Sequence, residues 1–179
     1  MPTPLYHTAA YLREFDATVT ALSEHGAALD QTAFYPGGGG QPHDTGWLRL
    51  GAQSWPVSKV HKKDGEIWHV IEGEPPALGA SVRGELDWER RYSLMRTHTA
   101  MHILCGVIWR DYGASVTGGN MQPLRGRMDF EFETMRQEFV RQIEEKINAE
   151  VAADRPVRVQ ILPRETAFQI PDLIRTKIN

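Results

Sequence analysis

Residues 55–72 read WPVSKVHKKDGEIWHVIE, which is two strand-like segments on either side of an Asp64-Gly65 pair. Asp-Gly is a dipeptide that two-residue type I′ hairpin turns prefer, because both central residues need a positive φ. The flanking segments carry the valine, isoleucine and tryptophan residues that are enriched in strands. The sequence therefore predicts a β-hairpin whose turn lies at Asp64 and Gly65.

Further strand-like segments lie on both sides of this hairpin within the first 86 residues. Apolar and polar residues alternate from Phe15 to Leu22, and shorter apolar segments lie at 27–29, 32–35, 47–50 and 80–86. Glycine- and proline-containing turns separate them, and no helical segment intervenes. Many short strands in succession are typical of a small barrel or a sandwich, and this pattern alone leaves both open.

The second half of the chain mixes helices and strands. Between Asp87 and Tyr112 the only helix-breaking residue is Gly106, and Gly113 follows, so one long helix is predicted there. Strands are predicted around 116–121, at 127–133 and at 157–162. We place the domain boundary after Leu86, which gives domains at 1–86 and 87–179.

A second helix is predicted between the last two of these strands. Thr134 and Gln137 form a capping-box pattern at its start, and Pro156 follows its end. Apolar residues recur every four positions and form one stripe. The stripe consists of Met135, Phe139, Ile143, Ile147 and Val151.

The composition is that of an ordinary globular protein. Hydrophobic residues make up 41% and charged residues 24% of the chain. No apolar run approaches the ~20 residues of a membrane span, and the N-terminus does not resemble a secretory signal. A single cysteine, Cys105, excludes an internal disulfide and fits a reducing compartment. We predict a cytoplasmic, monomeric protein that does not enter a membrane.

The charge distribution argues weakly against broad nucleic-acid binding. The formal net charge is -3, whereas sequence-independent binding to phosphates depends on excess positive charge. Local basic groups occur, among them Lys59, Lys62 and Lys63. The better interpretation of any one of them is a solvated surface charge.

His98 and His102 lie four residues apart in the predicted long helix. Residues at that spacing share one helix face with Cβ atoms about 5–6 Å apart. Two imidazoles can then bind one metal ion, and two nitrogen donors suit zinc. Cys105 shares the face and could add a third donor, but a small buried residue is the commoner role of a lone cysteine. Spacing alone favours two partly exposed or hydrogen-bonded histidines over a metal site.

Residues 34–42 read FYPGGGGQP and contain four successive glycines, Gly37, Gly38, Gly39 and Gly40. Such a run costs backbone entropy, so a compact protein retains it for a reason. One reason is a tight corner in a barrel, and another is close approach of backbone amides to a ligand. No Gly-Lys-Ser/Thr follows, so the run is not a Walker loop. By itself the run favours the structural corner.

Three segments, in order, resemble the AlaX group of trans-editing proteins, which are relatives of the editing domain of alanyl-tRNA synthetase. Residues 34–46 resemble the glycine-rich segment, and residues 96–104 resemble the first zinc motif. Residues 113–121, continuing into 127–130, resemble the strand pair that follows. The resemblance covers nearly the whole chain. It implies an α+β fold with a small N-terminal β-barrel, followed by a mixed α/β editing core with a long His-bearing helix.

The resemblance also implies an activity. Members of this group hydrolyse seryl-tRNA(Ala), and in some cases glycyl-tRNA(Ala), in trans, so the expected partner is the acceptor end of tRNA(Ala). Zn²⁺ would be held by His98 and His102 together with a Cys-x-x-x-His pair from a later motif. Zinc-bound water can reach a pKa near ~7. Whether zinc activates water or positions the aminoacyl group stays open.

An editing site must recognise the hydroxyl of serine, because alanine is smaller and cannot be excluded by size. A polar group that alanine leaves unpaired provides that discrimination. Thr117 is the first candidate for this catalytic-site role and Ser115 the second, and a Thr117 hydroxyl turned to water is an equal alternative. Gln41 is a further catalytic candidate. The amides of Gly37, Gly38, Gly39 and Gly40, with Ser115, are candidates for substrate binding.

The sequence departs from this group in one respect. No cysteine follows Cys105 and no histidine follows His102, so the second zinc motif is missing. We therefore expect that the sequence ends inside the editing core, and that two further zinc ligands lie outside these residues. The alternative is a non-catalytic tRNA- or protein-binding module of the same fold that has lost its metal site.

Overall fold

A computed structural model describes residues 2–24, 26–132 and 136–171. The fold is α+β, as predicted, and the chain divides after Met95 into two compact units. The first unit contains a 3₁₀ turn at Leu5–His7 and eight strands: β1 (Thr3–Pro4), β2 (Glu14–Ser23), β3 (Gly26–Leu29), β4 (Gln31–Thr32), β5 (Gly46–Leu50), β6 (Gln53–Lys63), β7 (Glu66–Ile71) and β8 (Ser81–Leu86). The division falls within helix α1 (Trp88–Tyr112), and β9 (Val116–Gln122), β10 (Arg125–Phe130), α2 (Gln137–Ala152) and α3 (Arg164–Phe168) follow.

Six of the strands form a closed antiparallel barrel in the order β2-β3-β7-β6-β5-β8. Strands β2 and β8 pair and complete the ring, so the barrel is confirmed over the sandwich. The β6–β7 hairpin turns where it was predicted, and both of its turn residues have positive φ, 53° at Asp64 and 84° at Gly65. The short strands β1 and β4 pair in parallel as a separate two-stranded sheet.

Side chains alternate in direction along each strand, so every second side chain points into the barrel. In β2 the buried residues are Phe15, Ala17 and Val19, and in β7 they include Ile67 and Ile71. Closure of the ring leaves no free edge in the sheet, which protects a small β domain from edge-to-edge pairing.

Strand β5 approaches β8 at a position that only glycine fits. A Cβ on Gly46 would lie against the Glu85 carbonyl oxygen and 3.0 Å from the Leu86 Cα. Both of these atoms belong to backbone that is paired with β5 in the barrel, so they cannot move independently. Gly46 therefore fixes the spacing of these two strands.

The second unit contains the rest of α1, the β9–β10 hairpin and α2. Its buried centre consists of Ile108, Ala114 and Ile143, with Phe130 and Phe139 among the partly buried residues around it. The predicted helix α1 is confirmed with the expected ends. The capping-box residue Thr134 and the first stripe residue Met135 lie outside the described residues.

The predicted strand at 157–162 is wrong. These residues have no regular secondary structure, and Val157, Val159 and Ile161 are 78%, 75% and 70% exposed. An alternating pattern forms a strand only where a neighbouring strand takes up its hydrogen bonds, and within the described part of the chain no strand pairs with this segment. Among the described residues no helix is long and apolar enough to cross a membrane.

Candidate functional site

The glycine run forms an exposed loop at the surface of the barrel unit. All four glycines have positive φ, at 84°, 129°, 57° and 82° from Gly37 to Gly40. Gly38 and Gln41 exchange two backbone hydrogen bonds of 3.0 Å, which closes the tip. Non-glycine residues rarely adopt this conformation, so the run is needed for the shape of the loop.

The two ends of the loop are fastened together by Asp44. The Tyr35 backbone N–H donates to Asp44 Oδ2 at 2.6 Å, and the Asp44 N–H donates to the Tyr35 carbonyl at 3.0 Å. At the tip, the Tyr35 hydroxyl donates to the Gly38 carbonyl at 3.0 Å. Tyr35 and Asp44 thus hold the eight-residue segment between them in one conformation.

Asp44 is in turn held by the first turns of helix α1. Its carboxylate accepts hydrogen bonds from Nε and Nη2 of Arg91, with both Nε contacts at 3.0 Å. The Arg91 and Asp44 side chains are only 4% and 1% exposed. Arg91 also donates to the Ala33 carbonyl at 2.5 Å and to the Ala10 carbonyl at 3.1 Å. Every member of this buried ion pair is therefore hydrogen-bonded, which such a pair requires to be stable.

A second contact joins the loop to the same helix. Arg90 Nη2 donates to the His43 carbonyl at 3.1 Å, and the Asp87 N–H donates to the Thr45 carbonyl at 2.8 Å. These anchors were not predicted from the sequence. The partners are 42 to 47 residues apart, so no local pattern connects them.

His98 and His102 lie side by side on helix α1. Their rings stack with centroids 4.9 Å apart and an angle of 15° between the planes. His98 is half-buried and His102 is exposed. Burial lowers the pKa of His98, and the adjacent His102 lowers it further, which favours the neutral imidazole that a metal binds.

The position of this pair follows from how α1 packs on the β9–β10 hairpin. The Thr97 hydroxyl donates to the Gln122 carbonyl at 3.3 Å, and a Cβ on Gly126 would lie 2.8 Å from Met101 Sδ. Thr97 and Met101 therefore face the hairpin closely. Successive helical residues are rotated by about 100°, so His98 and His102, each one residue later, lie on the same turns of α1 and point about 100° away from this contact.

Ser115 and Thr117 lie at the start of the same hairpin. Ser115 is half-buried, and its carbonyl accepts a 3.2 Å hydrogen bond from the Glu131 N–H. Thr117 is exposed and is the extra residue of a β-bulge, because Val116 pairs with Phe130 while Gly118 pairs with Asp129. Bulges redirect a side chain and are frequent beside active sites.

A zinc ion can be tested against the residues present. Two neutral imidazoles on one helix face fit two of its ligands, but a catalytic zinc site has three protein ligands and a structural site four. Within the described residues, no group of three or more His, Cys, Asp or Glu side chains is gathered to hold a metal. The histidine pair therefore fits part of a zinc site.

Comparison with known proteins identifies relatives along the whole chain. Residues 6–90 match the family model described as tRNA synthetases class II (A). The chain is 35% identical over 178 residues to the alanyl-tRNA editing protein AlaX-M of Saccharolobus solfataricus, covering 98% of this chain and 75% of that protein. It is 40% identical over 177 residues to AlaX-M of Methanosarcina mazei, with coverage of 93% and 70%.

A second group of relatives is much longer. The chain is 39% identical over 169 residues to the alanine–tRNA ligase of Hyperthermus butylicus, and this match covers 93% of the chain. It spans only 18% of the length of that ligase. The chain therefore matches one part of the ligases, and most of the length of the AlaX-M proteins.

Proposed function

Because this chain belongs to the AlaX-M family of alanyl-tRNA editing proteins, we propose that it hydrolyses the ester bond of tRNA(Ala) that carries serine, and of tRNA(Ala) that carries glycine as a second substrate. The observation that carries this proposal is the stacked His98–His102 pair on the helix with the zinc-motif sequence. The partner is the acceptor end of tRNA(Ala).

We propose His98 and His102 as two ligands of Zn²⁺, with the remaining ligands supplied from outside the described residues. When bound, zinc supplies a Lewis acid that polarises the ester carbonyl or acidifies water. The two histidines can bind the ion because both rings are neutral and lie close together. Thr97 and Met101 pack on the β9–β10 hairpin and so fix the turn of α1 that carries the histidines.

Thr117 is the proposed recognition group for the substrate hydroxyl. Its exposed side chain stands on a β-bulge, so the strand holds it in one place while its hydroxyl is open to a ligand. Serine satisfies this hydroxyl and alanine does not, and a site built to pair a hydroxyl can reject the analogue lacking it by up to ~10⁴-fold. Ser115 is the second candidate for this role.

The glycine loop is proposed to contribute substrate contacts from the barrel. Gly38, Gly39 and Gly40 are exposed, and their positive φ angles turn successive peptide groups in directions that an ordinary loop does not offer. Gln41 adds a side-chain amide that both donates and accepts hydrogen bonds. The anchoring by Asp44 and Arg91 keeps this loop in a fixed shape before a ligand arrives.

A deacylation assay tests the proposal. Purified protein is mixed with seryl-, glycyl- and alanyl-tRNA(Ala), and bound zinc is quantified in the same preparations. We expect release of serine with alanyl-tRNA(Ala) spared, loss of both release and zinc in His98→Ala and His102→Ala, and reduced preference for serine in Thr117→Val with zinc retained. Serine release by His102→Ala at the wild-type rate would end the zinc-hydrolase proposal.

One observation favours a second candidate, a binding module of the same fold without catalysis. It is the lack of a third metal-binding group beside His98 and His102 among the residues that the structure describes. This candidate predicts binding of uncharged tRNA(Ala) with no zinc and no release of serine. The same assay therefore separates the two functions.

A further inference from the structure

The barrel unit contains a cavity of about 360 Å³ between the 3₁₀ turn and the tip of the β6–β7 hairpin. Tyr6 and His7 line it from the turn, and Lys62, Lys63 and Asp64 line it from the hairpin. Neither His98 and His102 nor any other proposed catalytic residue is among the described residues that line it. Its lining combines cationic, aromatic and polar groups, which suits a polar anionic ligand.

The charge of the cavity is positive. Lys62 and Lys63 are both exposed, and neither forms an ion pair within 4.0 Å with any described residue. Asp64 is the acidic group among the described lining residues. Two cations against one anion leave an excess positive charge that attracts an anion.

Tyr6 adds a hydroxyl without a protein partner. Its oxygen is buried, and within the described residues it has no hydrogen-bond partner. An unpaired buried hydroxyl is unfavourable, and an incoming acceptor oxygen would satisfy it. Burial raises the pKa of Tyr6, so its O–H remains a donor at neutral pH.

The cavity is linked by direct contacts to the glycine loop. The Tyr6 ring packs edge-on against Tyr35 with centroids 5.5 Å apart, and the Tyr35 hydroxyl donates to the Gly38 carbonyl. Lys62 is close enough to Tyr35 to influence its ionisation. Cations beside aromatic rings are the combination that holds single-stranded nucleic acid, through phosphates and through base stacking.

We propose that this cavity binds two successive phosphate groups of a single RNA strand, with Lys62 and Lys63 as their counter-charges and the Tyr6 hydroxyl as a hydrogen-bond donor. The inference rests on the proposed function in one respect, that the strand is the single-stranded 3′ end of tRNA(Ala). Asp64 opposes this binding and moderates its strength.

Fluorescence anisotropy tests this site with an uncharged, labelled RNA minihelix that carries the tRNA(Ala) acceptor stem and its 3′ end. Each phosphate contact accounts for about four-fold in affinity at 0.15 M salt, because affinity for single strands falls with a slope of about 0.7 per contact. The Lys62→Ala, Lys63→Ala double variant should therefore bind about 15-fold more weakly, with a salt slope lower by about 1.4.

Three further variants localise the effect. Lys59→Ala removes the same charge from the same strand outside this cavity and should change affinity by less than about two-fold. Asp64→Asn should tighten binding, and asparagine tolerates the positive φ of this turn. Tyr6→Phe should weaken binding while its thermal unfolding stays unchanged or shifts upward, because the unpaired hydroxyl is lost.

The site is disproved if the wild-type protein does not bind the minihelix, or if the double lysine variant loses no more affinity per charge than Lys59→Ala. An unchanged affinity of Tyr6→Phe for the minihelix would show that the Tyr6 hydroxyl does not take part in binding. The probe carries no amino acid, so these results are independent of deacylation. Failure to release serine with intact minihelix binding would count against the proposed function alone.

Discussion

Acidification from pH 7 to pH 4 should destabilise the barrel through one buried side chain, His69. This ring is completely buried and makes two hydrogen bonds: Nδ1–H donates to the Ala27 carbonyl at 3.1 Å, and Nε2 accepts from the Thr32 hydroxyl at 2.9 Å. Thr32 Oγ1 also accepts the Phe34 N–H at 3.1 Å, so its own proton is free to point at His69. The neutral ring thus satisfies every partner. Burial, which outweighs the hydrogen bond to Ala27, lowers the pKa of His69 to about 4.

The sign and size of the effect follow from the two states of the chain. In the unfolded chain His69 takes up a proton as the pH falls below about 6.5, whereas in the folded barrel it stays neutral until about pH 4. Over that interval protons bind preferentially to the unfolded chain, so the free energy of unfolding decreases as the pH falls. The difference from 6.5 to about 4, at ~1.4 kcal/mol per pH unit, gives a loss of about 3 kcal/mol.

Urea denaturation at intervals from pH 7 to pH 4 measures this loss, and His69→Gln is the matched control. Glutamine can donate to one partner and accept from the other, but it does not titrate. The difference between the two free-energy curves isolates His69, since all other ionisable groups are shared. Curves that run parallel between pH 6.5 and pH 4 would refute the reasoning. An NMR titration of the His69 ring in the wild-type protein gives an independent check. A titration midpoint near pH 6.5 would also refute the reasoning.

Two substitutions test the anchoring of the glycine loop and the barrel spacing. Arg91→Met leaves the Asp44 carboxylate buried and unpaired, so chemical denaturation should show a loss of about 3–5 kcal/mol, and adding Asp44→Asn should recover part of it. Gly46→Ala should lower the free energy of unfolding by about 3 kcal/mol, because the new Cβ meets paired backbone. Gly51→Ala should lower it by about 1 kcal/mol, because this position has open space but a φ of 57°. Equal losses in the two glycine variants would contradict the close approach of β5 and β8.

Local sequence patterns were sufficient for most of the regular elements. The structure confirms the predicted Asp64-Gly65 turn, the alternation in β2 and the unbroken helix α1. Each of these depends on neighbouring residues within one element. The strand expected at 157–162 failed for the opposite reason. Apolar and polar residues do alternate in this segment, but a strand also needs a neighbouring strand to pair with. The sequence of the segment itself does not show whether such a strand is present.

The contacts that shape the candidate site were less predictable. His98 and His102 could be paired by their spacing in one helix, and the glycine run could be singled out by composition. The buried contact between Arg91 and Asp44 gave no sequence signal, because each is an ordinary charged residue and 47 positions separate them. His69 also gave none, since its role depends on a hydroxyl and a carbonyl from other strands.

The ion pair between Arg91 and Asp44 has a consequence for exchanging parts between proteins of this kind. A fragment cut after Leu86 would keep all six barrel strands, yet it would lose Asp87, Arg90 and Arg91 and leave a buried carboxylate without its counter-ion. The smallest transplantable module is therefore longer than the sheet itself and includes the opening turns of α1. A chimaera joined after Met95 should fold with its glycine loop in place, whereas one joined at the end of β8 should not.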